Sequence, residues 1–275
     1  MGITIADLMS CLDEIAPFTM AEAWDTVGLI VGDRRRDVQT VLVGLDPTNR
    51  LLDEAIDRRA DTVITHHPAI FKPIPVIDTA EASGRFLETA LSGRLNIIAC
   101  HTNFDAVCGG VNDVLAAGLG LTNLQPLVPA SQTSADGGGM GRIGRFREPL
   151  TRSAFVETLL EVLDSACLQT AGDIPETVAS VAVCGGSGSE FAELAFRYGA
   201  DVYISAEIKH STARWAEESG FCIVDGTHYA TEKPAVRVLA DRLRTFSQQH
   251  RWDLDIIETE TERHPFHSVD RNSYR

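Results

Sequence analysis

The sequence has few basic residues for its size. Lys and Arg number 24 against 39 Asp and Glu, a net charge of −15 over 275 residues. Phosphate backbones and anionic lipid repel such a chain, so nucleic acid is not expected as a partner. Long apolar runs are missing as well. Stretches such as Leu29–Val31 and Leu95–Cys100 fall far short of the ~20 residues that a membrane span needs. The start of the chain, Met1-Gly2-Ile3-Thr4 with Asp7 close behind, has neither the basic opening nor the long apolar stretch of a signal peptide. Six cysteines are present without a single C-x-x-C pair, and they read as reduced, mostly buried thiols. Aromatic residues are sparse at 7%, yet hydrophobic residues reach 44%. That is enough for a packed core and too much for wholesale disorder. A soluble, acidic, cytoplasmic globular protein is expected, with one large domain or two small ones.

What is present alternates. Thr4 and Asp7 have capping-box spacing ahead of Ile5, Leu8, Met9, Leu12 and Ile15, a helical repeat that Pro17 stops. From Val41 the pattern is strand Val41–Leu45, helix around Leu51–Ile56, strand Asp61–Thr65, helix Ala80–Leu91, strand Leu95–Cys100 and helix Val111–Leu119. Strands alternating with helices predict an α/β sheet with a parallel component. Ala130–Gly141 is small, polar and glycine-rich, which reads as a loop or boundary. A shift of 140 positions then lays Val41–Ile64 on Val181–Ile204 without a gap. Val41, Val43, Ala55, Ala60, Asp61 and Ile64 meet identical residues. An internal duplication is expected, although two unrelated strand–helix–strand units can also agree this far.

Polar groups collect at the strand ends, where ligands bind in open α/β sheets. The first copy ends in His66-His67 and in His101-Thr102-Asn103-Phe104-Asp105. Two neighbouring imidazoles at a relaxed strand end can reach one or two metals, or simply cap the strand. Asp105 is either a ligand or part of an Asx turn. His228 and Glu232 stand four apart, on one face if helical. They form a ligand pair or a capping pair, and Pro234 is tolerable only if it falls in the helix's first turn. Three histidines with two carboxylates and no thiolate suit Zn²⁺, Mn²⁺, Fe²⁺ or Ni²⁺. Five side chains are too many for one open catalytic zinc and enough for two ions sharing a bridge. Asp46 and Glu207 extend the polar wall. Gly185-Gly186-Ser187-Gly188 reads as a tight turn, with an anion cradle as the alternative. His210 reads as a surface residue, His264 and His267 as solvated, and Cys184 as core.

The pieces Ala21-Glu22-x-Trp24-Asp25-x-Val27-Gly28-Leu29, Thr65-His66-His67-Pro68, His101–Asp105 followed by Gly109-Gly110-Val111-Asn112-Asp113, and Gly226-x-His228-x-x-x-Glu232 occur in that order. Together they resemble the Nif3-like dinuclear metal-centre family, whose members are often named GTP cyclohydrolase 1 type 2 homologs. The resemblance covers nearly the whole chain. It implies two intertwined, topologically similar α/β domains, a toroidal homohexamer, and two divalent ions per chain (Zn, Fe, Mn or Ni). The ligands it implies are His66, His67, Asp105, His228 and Glu232, with Glu232 bridging. On this basis residues 1–125 form the first domain, with 226–275 packing back on it, and 126–225 form the second. The activity implied is hydrolysis of a nucleotide or pterin-like substrate through a metal-activated water; His101 and Glu22, the groups nearest in sequence, are the candidate proton shuttles. The alternative is a non-enzymatic hexameric metal-binding or scaffold protein. Three departures stand out: Thr26 replaces the family's usual Asn, Ser205-Ala206-Glu207 replaces Thr-Gly-Asp/Glu, and no extra domain is inserted near the middle.

Overall fold

Two sheets carry the protein, with four parallel strands in the first and three in the second. A computed structural model describes residues 2–130 and 137–267. The first sheet runs, edge to edge, Asp255–Glu258, Thr40–Gly44, Thr62–Thr65, Asn96–Ala99 and Gly28–Val31, with only the last strand antiparallel. The second runs Gln169–Ala171, Cys222–Asp225, Val202–Ala206, Thr177–Ser187, Arg142–Thr151 and Thr122–Gln125, its central three parallel between antiparallel flanks.

The central strands are continuous apolar runs because both faces are covered. In the first sheet Val41, Val43, Ile64 and Ile98 point to one face, against Ile5, Leu8 and Leu12 of the helix Ile5–Ile15 and Leu239 and Leu243 of the helix His228–Gln249. Leu42, Val63 and Ile97 point to the other face, against Leu51, Leu52, Phe86 and Leu87. The second sheet repeats this division. Val181, Val183, Val202 and Ile204 face Phe155 and Leu159, while Ala182 and Tyr203 face Ala192 and Ala195.

The 140-residue shift reappears in space. Val41 pairs with Thr62 and Val43 with Ile64; Val181 pairs with Val202 and Val183 with Ile204. Asp61 Oδ2 accepts from the amides of Gln39 and Thr40 at 2.7 and 3.1 Å. Asp201 Oδ2 does the same for Ala179 and Ser180 at 2.8 Å each. The two shared aspartates therefore perform one task, fastening the start of the neighbouring strand.

Helix starts follow the sequence chemistry. Thr4 and Asp7 form a reciprocal capping box, and Gly93 caps the helix Ala82–Ser92. Four features differ from expectation. The strand Asp255–Glu258, absent from the strands expected from the sequence, joins the first sheet beside Thr40–Gly44. Thr122–Gln125 already belongs to the second sheet. Asp105 lies on a helical turn, Thr102–Ala106, rather than an Asx turn. The long helix starts at His228, so Pro234 sits in its second turn and withholds one helical hydrogen bond. Of the glycine-rich stretch, residues 131–136 lie outside the described residues, and Gly139–Met140 pairs with Val128–Pro129 as a short ribbon. Among the described residues no helix is long and apolar enough to cross a membrane.

Candidate metal centre

Carboxyl ends of parallel strands from both sheets meet at the start of the helix His228–Gln249, which packs on strands of both sheets. The strand Thr62–Thr65 ends just before the paired histidines. There the Thr65 hydroxyl donates to the His67 carbonyl at 2.7 Å, and the amides of His66 and His67 donate to Gly44 and Leu45. This turn cancels the alternation of a strand, and both rings face one space with centroids 5.0 Å apart. His228 enters from the helix start. Its cap, Thr227, has φ +63°, a strained setting for a β-branched residue, and its Oγ1 accepts from the Ala230 amide.

Four histidines at this junction share one arrangement. His66 Nδ1 donates to the Cys100 carbonyl at 2.9 Å. His67 Nδ1 bonds Asp46 Oδ1 at 2.7 Å, His228 Nδ1 bonds Glu207 Oε1 at 2.9 Å, and His101 Nδ1 bonds Asp25 Oδ1 at 2.8 Å. An acceptor on every Nδ1 places the neutral ring's lone pair on Nε2, the usual preparation of a metal-ligating imidazole.

Two buried carboxylates complete the cluster. Glu232 Oε1 lies 3.1 Å from His228 Nε2 and 3.8 Å from His66 Nε2, and its Oε2 lies 3.1 Å from His67 Nε2. Asp105 Oδ1 lies 3.6 Å from His66 Nε2. The donor atoms thus form the triads His66–Asp105–Glu232 and His67–His228–Glu232, joined at Glu232, and a third triad, His66–His67–His101. Donors around one ion at ~2.1 Å bonds stand about 3.0–3.5 Å apart in octahedral or tetrahedral geometry; the 3.1 Å spacings of His67, His228 and Glu232 fall there, and His66 stands slightly wider, 3.6 and 3.8 Å from Asp105 and Glu232. His66 Nε2, Asp105 Oδ1 and Glu232 Oε2 are buried without a hydrogen-bond partner. Orphaned donors of both kinds around one space are what a cation would satisfy, so the residues fit a metal.

The electrostatics agree. Burial works against a charge on His67, but Asp46 and Glu232 outweigh it and raise the ring to about 10. His228 is likewise opposed by burial and raised to about 9, chiefly by Glu232. Their Nε2 atoms are 3.1 Å apart, so two facing N–H groups cannot coexist and the pair titrates jointly. Burial lifts Asp105 to about 7. Burial would lift Glu232 too, but the surrounding imidazoles hold it well below the usual carboxylate range. Asp25 is pushed up by burial, yet His101 and Thr102 bring it down to about 2.

The backbone makes room for this set. Gly186 has φ +66°, and a Cβ there would come within 2.2 Å of Glu232 Oε1. The amides of Gly185 and Gly186 already donate to Asn112 Oδ1 and Thr231 Oγ1, so these two are not offered to an anion. A cavity of about 420 Å³ opens over the cluster, with Asp105, His228 and Glu232 in its lining and Glu22, Trp24 and Phe71 at its rim. A larger hollow of about 600 Å³ beside Arg145 and Tyr198 contains none of the candidate donors.

The structure brings His66, His67, Asp105, His228 and Glu232 together, with His101 alongside and Glu22 on the cavity rim. Asp46 and Glu207 each anchor a histidine. Cys184 is buried as expected, and burial pushes its thiol up. His210 is exposed at a helix start. His264 is a correction: its Nε2 bonds Thr227 Oγ1 at 3.0 Å and its ring packs on Tyr229, so the tail folds back on the helix that carries His228. Two further contributors have no assigned role in the sequence. Asp25 stands inside the Trp24-Asp25 motif, the signal that singles it out. Glu262 has no sequence signal; its Oε1 accepts from the amides of Leu45 and Asp46 at 2.6 and 2.8 Å, and its Oε2 pairs with Lys233.

Residues 3–265 match the family model Duf34/NIF3 (NGG1p interacting factor 3). A Streptomyces coelicolor protein named GTP cyclohydrolase 1 type 2 homolog is 31% identical over 265 residues, 95% of this chain and 93% of that one. A Clostridium acetobutylicum protein of the same name is 30% identical over 243 residues, 88% and 90% of the two chains. Among solved structures, a Staphylococcus aureus hypothetical protein superposes with a TM-score of 0.88 at 28% identity, covering 97% of this chain and 99% of that one.

Proposed function

The chain belongs to the Duf34/NIF3 family, and from that premise we propose that it is a dinuclear metal-dependent hydrolase acting on a nucleotide or pterin-like ring. The observation that carries this is the pair of donor triads that share Glu232. His66 and Asp105 with Glu232 would hold one ion, and His67 and His228 with Glu232 the other. Nitrogen and oxygen donors without thiolate suit Zn²⁺, Fe²⁺, Mn²⁺ or Ni²⁺. Two such ions supply Lewis acidity and lower the pKa of a water toward neutrality.

The chain's own groups supply the rest. Asp25 fixes His101 through Nδ1, leaving Nε2 to accept or return a proton. Glu22 stands at the rim of the cavity and can take a proton on its carboxylate. The name of the relatives directs the chemistry to the ring carbon of a purine nucleotide. A toroidal homohexamer in the cytoplasm completes the proposal.

Elemental analysis of reconstituted protein tests the site: two ions per chain are expected, and a plateau at one sinks the dinuclear assignment. Turnover tests the reaction. A nucleotide and pterin panel should give hydrolysis that needs added metal and vanishes in His67→Ala. If wild type and His67→Ala are equally inert across that panel, the protein is a metal binder and not a hydrolase. Light scattering at six times the chain mass checks the assembly.

A further inference from the structure

The cavity over the metal cluster has walls that select a ligand. Trp24 and Phe71 stand at its rim 59% and 44% exposed. They meet edge to face with centroids 5.7 Å apart, and each lies edge-on to His101, at 6.3 and 6.2 Å. Large aromatics this exposed forgo about half of the stabilisation that full burial gives. Their positions are nevertheless fixed to the site: Trp24 precedes Asp25, which holds His101, and Phe71 follows His66 and His67 on the same loop.

Charge makes the second selection. Glu22 and Glu190 line the same cavity, and neither carboxylate is in an ion pair among the described residues. No lysine or arginine is among the lining residues. The amides of Gly185 and Gly186 are spent on Asn112 and Thr231. A phosphate chain entering here meets four carboxylates, those of Glu22, Asp105, Glu190 and Glu232, against the imidazoles of His101 and His228, with no lysine or arginine to pair with. A planar ring meets two aromatic edges and two acceptors suited to exocyclic amino groups.

We propose that this cavity binds an uncharged or cationic, amino-bearing planar heterocycle of the purine or pterin class against Trp24 and Phe71, and that this chain's side chains do not recognise a polyphosphate. This rests on the metal-site function proposed above and narrows its substrate: the ring is read by the protein, and phosphates gain attraction only from bound cations. Base stacking on an aromatic side chain is sequence-tolerant because every ring offers a π-face. The discrimination between rings therefore lies with Glu22 and Glu190 and their demand for N–H donors.

Pterin, guanosine and GTP are the probes, titrated into metal-free and Zn²⁺-loaded protein and followed by calorimetry. Pterin and guanosine should bind the metal-free protein, with GTP at least about tenfold weaker than guanosine. Trp24→Ala and Phe71→Ala should each weaken pterin binding by about tenfold while two ions per chain are still taken up. Glu22→Gln with Glu190→Gln should narrow the gap between guanosine and GTP. GTP binding as tightly as guanosine without metal overturns the proposal. So does unchanged pterin binding in both aromatic variants, or no pterin binding to either form. The two ideas fail separately: pterin held through Trp24 without any turnover removes the hydrolase and keeps the ring site, whereas metal-dependent GTP turnover with tight metal-free GTP binding does the reverse.

Discussion

Glu262→Ala should weaken metal binding although Glu262 is not among the candidate ligands and lies 30 residues beyond Glu232 in sequence. Its side chain is 6% exposed. One oxygen accepts from the amides of Leu45 and Asp46 at 2.6 and 2.8 Å, and the other pairs with Lys233, which is 28% exposed. Alanine strands two amide donors and one ammonium. Each hydrogen bond to a charged group is worth about 1.5–3 kcal/mol, but Lys233 can turn to water and recover part of its share, so a net stability loss of about 3 kcal/mol is expected. The metal effect is separate. The Asp46 amide is fixed by Glu262, and the Asp46 carboxylate holds His67 Nδ1 at 2.7 Å. Loosening such an outer contact costs about 10–100-fold in metal affinity. Glu262→Gln keeps an oxygen for the amides and should restore most of that affinity while losing the Lys233 pair. Chelator competition with Co²⁺, whose visible spectrum reports the coordination of the site, measures affinity; thermal unfolding of the metal-free protein measures stability. Wild-type Co²⁺ affinity and spectrum in Glu262→Ala, alongside a lowered melting temperature, would refute the link from tail to ligand.

Four other outcomes are expected. Glu232→Ala should lose both ions, because both triads depend on it; elemental analysis showing one retained ion would make Glu232 a terminal ligand. His101→Ala should keep two ions and lose about 10²–10⁴-fold in turnover, and loss of an ion instead would make His101 a sixth donor. Gly186→Ala should abolish tight Zn²⁺ binding, since its Cβ would sit 2.2 Å from Glu232 Oε1, and unaltered calorimetric affinity would contradict this. With His67 raised to about 10 and His228 to about 9 and their facing Nε2 atoms sharing one proton, metal uptake at pH 8 should release about one proton per chain, read by calorimetry in buffers of different ionisation enthalpy; zero release would refute it. The sign on stability follows. In the metal-free protein the raised histidines stabilise fully below their ordinary 6.5, and that contribution fades as pH climbs through 9–10. The gain in melting temperature on adding metal should therefore grow with pH.

How much of this was legible depended on whether a residue type is itself informative. The inner strands were legible because burial on both faces leaves Val41, Leu42 and Val43 as an unbroken apolar run. Asp61 and Asp201 were legible as a repeat because one carboxylate does the same fastening in both copies. The strand Asp255–Glu258 was not: it is short and flanked by polar residues, and it exists because Thr40–Gly44 offers an edge more than 200 residues earlier in the sequence. For the long helix, His228 and Glu232 mark the start by type, but a proline in the second turn is not an ordinary helix signal; the Thr227 cap sets the start at His228 and the helix accommodates Pro234.

The same distinction divides the site. Metal donors must be imidazole or carboxylate, so His66, His67, Asp105, His228 and Glu232 announce themselves by type and by their place at strand ends. The groups that aim them need only an acceptor at the right point. Asp46 and Glu207 lie 21 residues from the histidines they hold, and Asp25 lies 76 away. Glu207 reaches His228 from a backbone at φ +53°, a conformation no sequence pattern marks. His66 is aimed by the carbonyl of Cys100, an atom that every residue possesses. Substitution at Cys100 would leave that acceptor in place, so the most deeply buried histidine of the cluster owes its tautomer to the path of the strand Asn96–Ala99 and not to any side chain. The chemistry is therefore written in residue types, and its orientation in the folding of two sheets against one helix.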